Sequence, residues 1–158
     1  MSFETRVAEV VPSVDRPISD ALVSARARTL TVWGARATVL IGVAHTVYFA
    51  VRTHGSWGGW LTGELWGSGA RDAAHMETAR DFWQLPASFV VPMVLLALVA
   101  SRLARSGRAL PGYVGWTFAA WIVVCGGILL PSGFLLGVVP AGMFIAAHHV
   151  NSKALRAD

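Results

Sequence analysis

The chain has 158 residues, of which 54% are hydrophobic and 14% charged, and its mean hydropathy is +0.55. Soluble globular domains carry about a quarter charged residues, so this composition excludes that class and points to an integral membrane protein. The net charge of +4 and the pI near 10.2 do not mark a nucleic-acid binder, because the basic residues flank apolar segments and form no run interleaved with aromatics.

Residues 1–28 alternate small polar, charged and Pro residues with no apolar core, which predicts a cytoplasmic tail and no signal peptide. Residues 29–51 form the first predicted crossing, with Trp33 near one interface, Arg36 close enough to the end to snorkel, and Gly34 and Gly42 permitting close helix approach. Residues 52–81 are too polar to cross. Trp57-Gly58-Gly59-Trp60-Leu61 fits a headgroup-level segment, and residues 70–81 fit a short interfacial helix.

The second predicted crossing, 82–103, opens on Phe82-Trp83 and carries Pro86 in its first turns and Pro92, which is expected to kink it. Residues 109–152 contain no Asp, Glu, Lys or Arg and are interrupted by Pro131-Ser132-Gly133, so they read as a hairpin of two crossings, 113–130 and 134–150. Residues 151–158 are a second short tail. The predicted fold is therefore all-α: a four-helix transmembrane bundle with a long outer loop between helices 1 and 2.

Basic residues set the orientation. Arg26, Arg28, Arg36, Arg102, Arg105, Arg108, Lys153 and Arg156 collect on one side, whereas Arg52, Arg71 and Arg80 on the other are diluted by Glu64, Asp72, Glu77 and Asp81. Both termini are thus expected in the cytoplasm. Twelve arginines to one lysine, with abundant Ala, Val and Gly, fit a GC-rich bacterial coding sequence, hence a bacterial inner membrane. Small residues at Gly133, Gly137 and Ala141, at Gly142 and Ala146, and at Gly115, Ala119, Gly126 and Gly127 predict close helix contacts.

Chemistry is concentrated outside the hairpin. His45 is the titratable group deepest in a crossing, and Tyr48 and Arg52 extend a polar stripe from it toward the outer surface. A neutral imidazole bonded across the bundle is the structural alternative to a proton or ligand role. The outer loop supplies Glu64, His75, Glu77 and Asp81 as acid–base candidates, while Tyr48, Trp60, Trp66, Trp83 and Gln84 are candidates for contacting a lipophilic ligand. If 70–81 is helical, Asp72 and His75 share one face and Glu77 and Asp81 another, so no single metal site uses all four. His148 and His149 lie at the opposite membrane side from His45, which argues against a bis-histidine haem, and the lone Cys125 excludes an internal disulfide. No nucleotide-binding, hydrolase or zinc-protease fingerprint is present, and no cofactor or metal is expected.

Arg36 and His45 on a first helix, Phe82-Trp83 before a second, Pro111-Gly112-Tyr113-x-x-Trp116 opening a third and Leu130-Pro131-Ser132-Gly133-Phe134 joining a fourth resemble small bacterial four-helix membrane families, broadly DoxX-like. The resemblance covers about residues 30–150 and implies the fold and the inner membrane. Three functions remain open from the residues. The first is a bundle holding a lipophilic small molecule between its helices and outer loop, with acid–base chemistry such as isomerisation, cyclisation or hydration. The second is a non-catalytic subunit docking a partner or a second copy through its small-residue faces. The third is a small transporter, which lacks any carboxylate within a crossing for proton coupling.

Overall fold

A computed structural model of the chain describes residues 23–66, 72–129 and 133–156. Residues 1–22, 67–71, 130–132 and 157–158, which include the N-terminal tail, Arg71 and the Pro131-Ser132 turn, lie outside the described residues. All regular structure among the described residues is helical. In chain order it comprises α1 (Ala25–Thr53), a 3-10 turn (His54–Ser56), α2 (Trp57–Leu61), α3 (Ala73–Gln84), α4 (Val90–Arg105), α5 (Gly112–Ile128), a 3-10 turn (Gly133–Gly137) and α6 (Val138–Ala154).

Helix α1 begins where Ser24, in extended backbone, accepts a hydrogen bond from the Ala27 amide at 3.3 Å, the usual solution for orphan donors at a helix start. Its 29 residues span about 43 Å, and the helical path continues through the 3-10 turn into α2. Thr31, Thr38, Thr46 and Thr53 each return their hydroxyl to the carbonyl four residues earlier, so these side chains bring no unsatisfied polar atom into an apolar setting.

The segment expected as one crossing over 82–103 is broken. Helix α3 ends at Gln84 and α4 starts at Val90, with Leu85 at φ −121°, ψ −78°. Pro86 is the reason: its ring disfavours helical backbone at the preceding residue, so the helix stops there instead of passing through. Pro92 consequently falls at the third residue of α4, where its missing N–H would have had no helical partner, and it kinks nothing. Pro140 occupies the same position in α6, after the same Val-Val pair.

Four long helices pack in the spatial order α4, α1, α6, α5, with α1 and α6 central. Each buries a stripe: Ala27, Thr31, Gly34, Ala35, Thr38 and Gly42 on α1; Met93, Ala97, Ala100 and Ala104 on α4; Gly115, Phe118, Ile122 and Gly126 on α5; Ala141, Phe144, Ala147 and Asn151 on α6. These repeats of three and four residues follow the helical period, and their small size lets backbones approach. A β-carbon at Gly34 would meet the buried Phe144 ring at 2.9 Å, and one at Gly115 would meet the Ile145 backbone nitrogen at 3.0 Å. Of the expected stripes, Gly137 packs against Ile122 and Gly126 against Leu135, whereas Gly127, Gly133 and Gly142 face open space.

Apart from Met93, Phe118, Ile122 and Phe144, many large apolar side chains lie outside this small-residue interior. Leu40, Val43 and Val47 on α1, Leu95 and Leu98 on α4, Val123 and Val124 on α5, and Val138 and Val139 on α6 are all exposed. Two helical stretches, Ala25–Leu61 and Gly133–Ala154, are long and apolar enough to cross a membrane, and only 22% and 28% of their most apolar windows are buried. A soluble core helix would show the opposite distribution. Gly112–Ile128 is also apolar but shorter.

Candidate functional site

At the end of the bundle formed by the C-terminus of α1, the chain turns back and α3 docks across it. Asp72 caps α3, its carboxylate accepting from the His75 amide at 2.8 Å. Ser56, in the turn after α1, donates its hydroxyl to Asp81 at 2.7 Å, and Arg80 donates to the other carboxylate oxygen at 3.2 Å. Asp81 is buried, at 8% exposure, so both donors matter: a buried carboxylate without them would be strongly unfavourable. Trp60 completes the joint by donating its indole N–H to the Thr78 carbonyl at 3.1 Å.

His45 belongs to the same junction. Its Nε2 lies 3.1 Å from the Gln84 carbonyl, an acceptor, so Nε2 carries the proton. Gln84 is the last residue of α3, whose final carbonyls lack partners within the helix. The imidazole thus caps one helix from another, and it rests among Phe49 at 4.5 Å and Phe89 at 5.3 Å between ring centres. Phe89 in turn meets Trp121 and Phe134, both at 5.0 Å. These rings link the α3–α4 turn to the far pair of helices.

Tyr48 and Arg52, expected to extend a stripe from His45, form their own exposed pair: Arg52 donates to the Tyr48 hydroxyl at 3.2 Å and lies over its ring at 5.4 Å. Glu64 is exposed and folds back over Gly59, where a β-carbon would collide with its carboxylate and with the Thr78 methyl. Gly63 adopts φ +81°, a left-handed conformation suited to glycine, and turns the chain so that Trp66 lies over it. Glu77 is exposed and pairs with Arg80 at 3.4 Å, a contact of small energetic weight.

Between α2 and α3 runs an open groove of about 280 Å³ lined by Trp60, Leu65, Trp66, Ala79, Phe82 and Trp83. Trp60 is held edge-on to Phe82 at 5.8 Å, whereas Trp66 and Trp83 are 85% and 70% exposed. Of the residues expected to contact a ligand, Trp60, Trp66 and Trp83 line this groove, while Tyr48 and Gln84 do not. None of the acid–base candidates His45, Glu64, His75, Glu77 and Asp81 is in its lining, and His45 and Asp81 are engaged in joining α1 to α3. Among the described residues no three His, Cys, Asp or Glu side chains gather as a metal would require. Leu65, Ala79 and Ser56 give no signal in the sequence, and Phe82 reads only as the start of a crossing. Ala79 and Phe82 sit three apart on one face of α3, but the helix expected over 70–81 ends one residue short of Phe82, which separates the pair.

Residues 29–151 match a family of unknown function, DUF6463. The chain belongs to the DUF6463 family. The matched stretch takes in nearly all of α1, the junction with α3, and α4 to Asn151 of α6, so groove and bundle lie within the DUF6463 unit. No curated protein and no solved structure matches this DUF6463 chain.

Proposed function

We propose that this DUF6463 protein is a four-span bundle of the bacterial inner membrane, with both termini cytoplasmic, that binds a lipophilic molecule in the tryptophan groove of its outer loop. The groove carries the reading. Its walls are apolar, its volume of about 280 Å³ is near the lower end of small-molecule sites, and so it fits one ring or a chain segment of a larger lipid. Exposed tryptophans such as Trp66 and Trp83 favour the headgroup level, where a lipophile would pass between bilayer and protein.

Helices α4 and α5, with 16 and 17 residues, reach about 24–26 Å, slightly under a 30 Å hydrocarbon core. Local thinning and end aromatics such as Tyr113 accommodate such a shortfall at modest cost. The docking-subunit reading keeps only part of its surface: Gly34, Gly115 and Gly137 are closed against Phe144, Ile145 and Ile122 within the chain, while Gly127, Gly133 and Gly142 stay open.

The test is saturable quenching of tryptophan fluorescence by nitroxide-labelled stearate in detergent micelles. Binding in the groove predicts that Ala79→Trp, which fills it, abolishes the saturable component. Quenching that is linear in probe, or equal in the variant, refutes the groove as the site.

A further inference from the structure

We infer that the bundle end opposite the groove is a binding surface for anionic phospholipid headgroups; the inference rests on the membrane-spanning reading above. Four helix termini are tied together there. The Val23 amide donates to the Gly107 carbonyl at 2.9 Å, joining the start of α1 to the α4–α5 connection. The Ser24 amide donates to the buried Asn151 side chain at 2.8 Å, joining it to the end of α6. His148 lies against Gly112, where a β-carbon would collide with the imidazole, which seats the start of α5 on α6.

Around this joint Arg26, Arg28, Arg102, Arg105, Arg108, Lys153 and Arg156 are all exposed. The four carboxylates among the described residues, Glu64, Asp72, Glu77 and Asp81, all lie on the segments at the other end. Among the described residues the charge is therefore one-signed over a surface that converges from three helices and a loop. Arg102, Arg105 and Lys153 also fall in the last turns of α4 and α6, where the helix dipole holds cations favourably and leaves them outward-facing.

Aromatics fix the depth. Trp33, Tyr113 and Trp116 are exposed near the same end, and such side chains settle at the boundary of the hydrocarbon core. The Arg36 guanidinium lies 4.8 Å from the Trp33 ring centre, on the same belt. Arg28 and Arg26 precede Trp33 by five and seven residues, a rise of about 7–10 Å along the helix. The headgroup layer is roughly 5–8 Å thick on each side, so these cations reach the phosphates of the leaflet. Each cation near an anionic surface raises partitioning about fivefold, the equivalent of about 1 kcal/mol.

The experiment reconstitutes the full chain into vesicles of equal phosphatidylglycerol and phosphatidylcholine, extracts it gently and counts retained lipids by native mass spectrometry. The inference predicts at least fivefold enrichment of phosphatidylglycerol, falling toward parity in Arg102→Gln/Arg105→Gln/Lys153→Gln and in 1 M salt, but unchanged in Arg52→Gln at the other end. Wild-type parity, or full enrichment in the triple variant, overturns it while leaving the bundle intact. Release of the chain from native membranes by alkaline carbonate overturns the bundle and this inference together. Salt-sensitive binding of a short RNA without any lipid preference assigns the cations to another partner and also overturns it.

Discussion

Replacing Gly115 with Ala places a methyl group 3.0 Å from the Ile145 backbone nitrogen and 3.2 Å from the Phe144 carbonyl carbon. Comfortable carbon contacts need about 3.5–4.0 Å, and backbone cannot swing aside as a side chain can, so α5 and α6 must separate by several tenths of an ångström. Overpacking of this kind costs about 1–3 kcal/mol, against about 1 kcal/mol gained because Ala favours helix over Gly. The control is Gly142→Ala on α6, which meets nothing within 4 Å and so takes the helix gain without the clash. The helix preference cancels between the two variants, leaving the clash. Gly115→Ala should therefore be less stable than Gly142→Ala by about 1–3 kcal/mol, a gap of roughly 2–12 °C in melting temperature for a chain of this size. Thermal unfolding in one detergent reads both. Equal shifts in the same direction would show that α5 and α6 do not pack through Gly115.

Four further outcomes follow from named contacts. Asn151→Ala leaves the Ser24 amide without its acceptor at a buried joint and should cost about 1–3 kcal/mol, read as a lower melting temperature and as earlier protease cleavage near residue 24. His45→Leu removes the donor to the Gln84 carbonyl and should cost about 1 kcal/mol while leaving nitroxide-stearate affinity within twofold; a large loss of affinity at unchanged stability would return His45 to a ligand role. Ser56→Ala strips one of two donors from the buried Asp81 carboxylate, so α3 should loosen from α1 by about 1–3 kcal/mol, seen as faster hydrogen exchange in residues 73–84 with α5 and α6 unaffected. A reporter fused after Asp158 should be active in the cytoplasm only, because the exposed cations cluster at the end that holds the C-terminus of α6; activity outside the cell would reverse the orientation.

What the sequence determined by itself was whatever depends on the solvent around a helix. A run such as Val114 to Leu129 is apolar on every face, which a lipid-facing helix requires and a soluble one does not, so helical class and apolar segments were legible without any tertiary contact. Periodicity also exposed Gly115, Gly137 and Ala141 as small residues on one stripe, although it could not separate them from Gly127 and Gly142, which face outward. Local chemistry decided less than expected at Pro86. A proline near a helix start is tolerated, and only the backbone of Leu85 shows that the chain chose to stop and restart. The tertiary structure alone decided the roles of the polar groups. His45 and Gln84 are 39 residues apart and Ser56 and Asp81 are 25 apart, so no spacing rule connects them; each pair forms because α3 folds back over the end of α1 and its terminal carbonyl and buried carboxylate need donors. The groove has the same origin. Trp60 and Trp66 reach Phe82 and Trp83 only through that fold, which is why the tryptophans were visible in the sequence but the wall they share with Leu65, Ala79 and Phe82 was not.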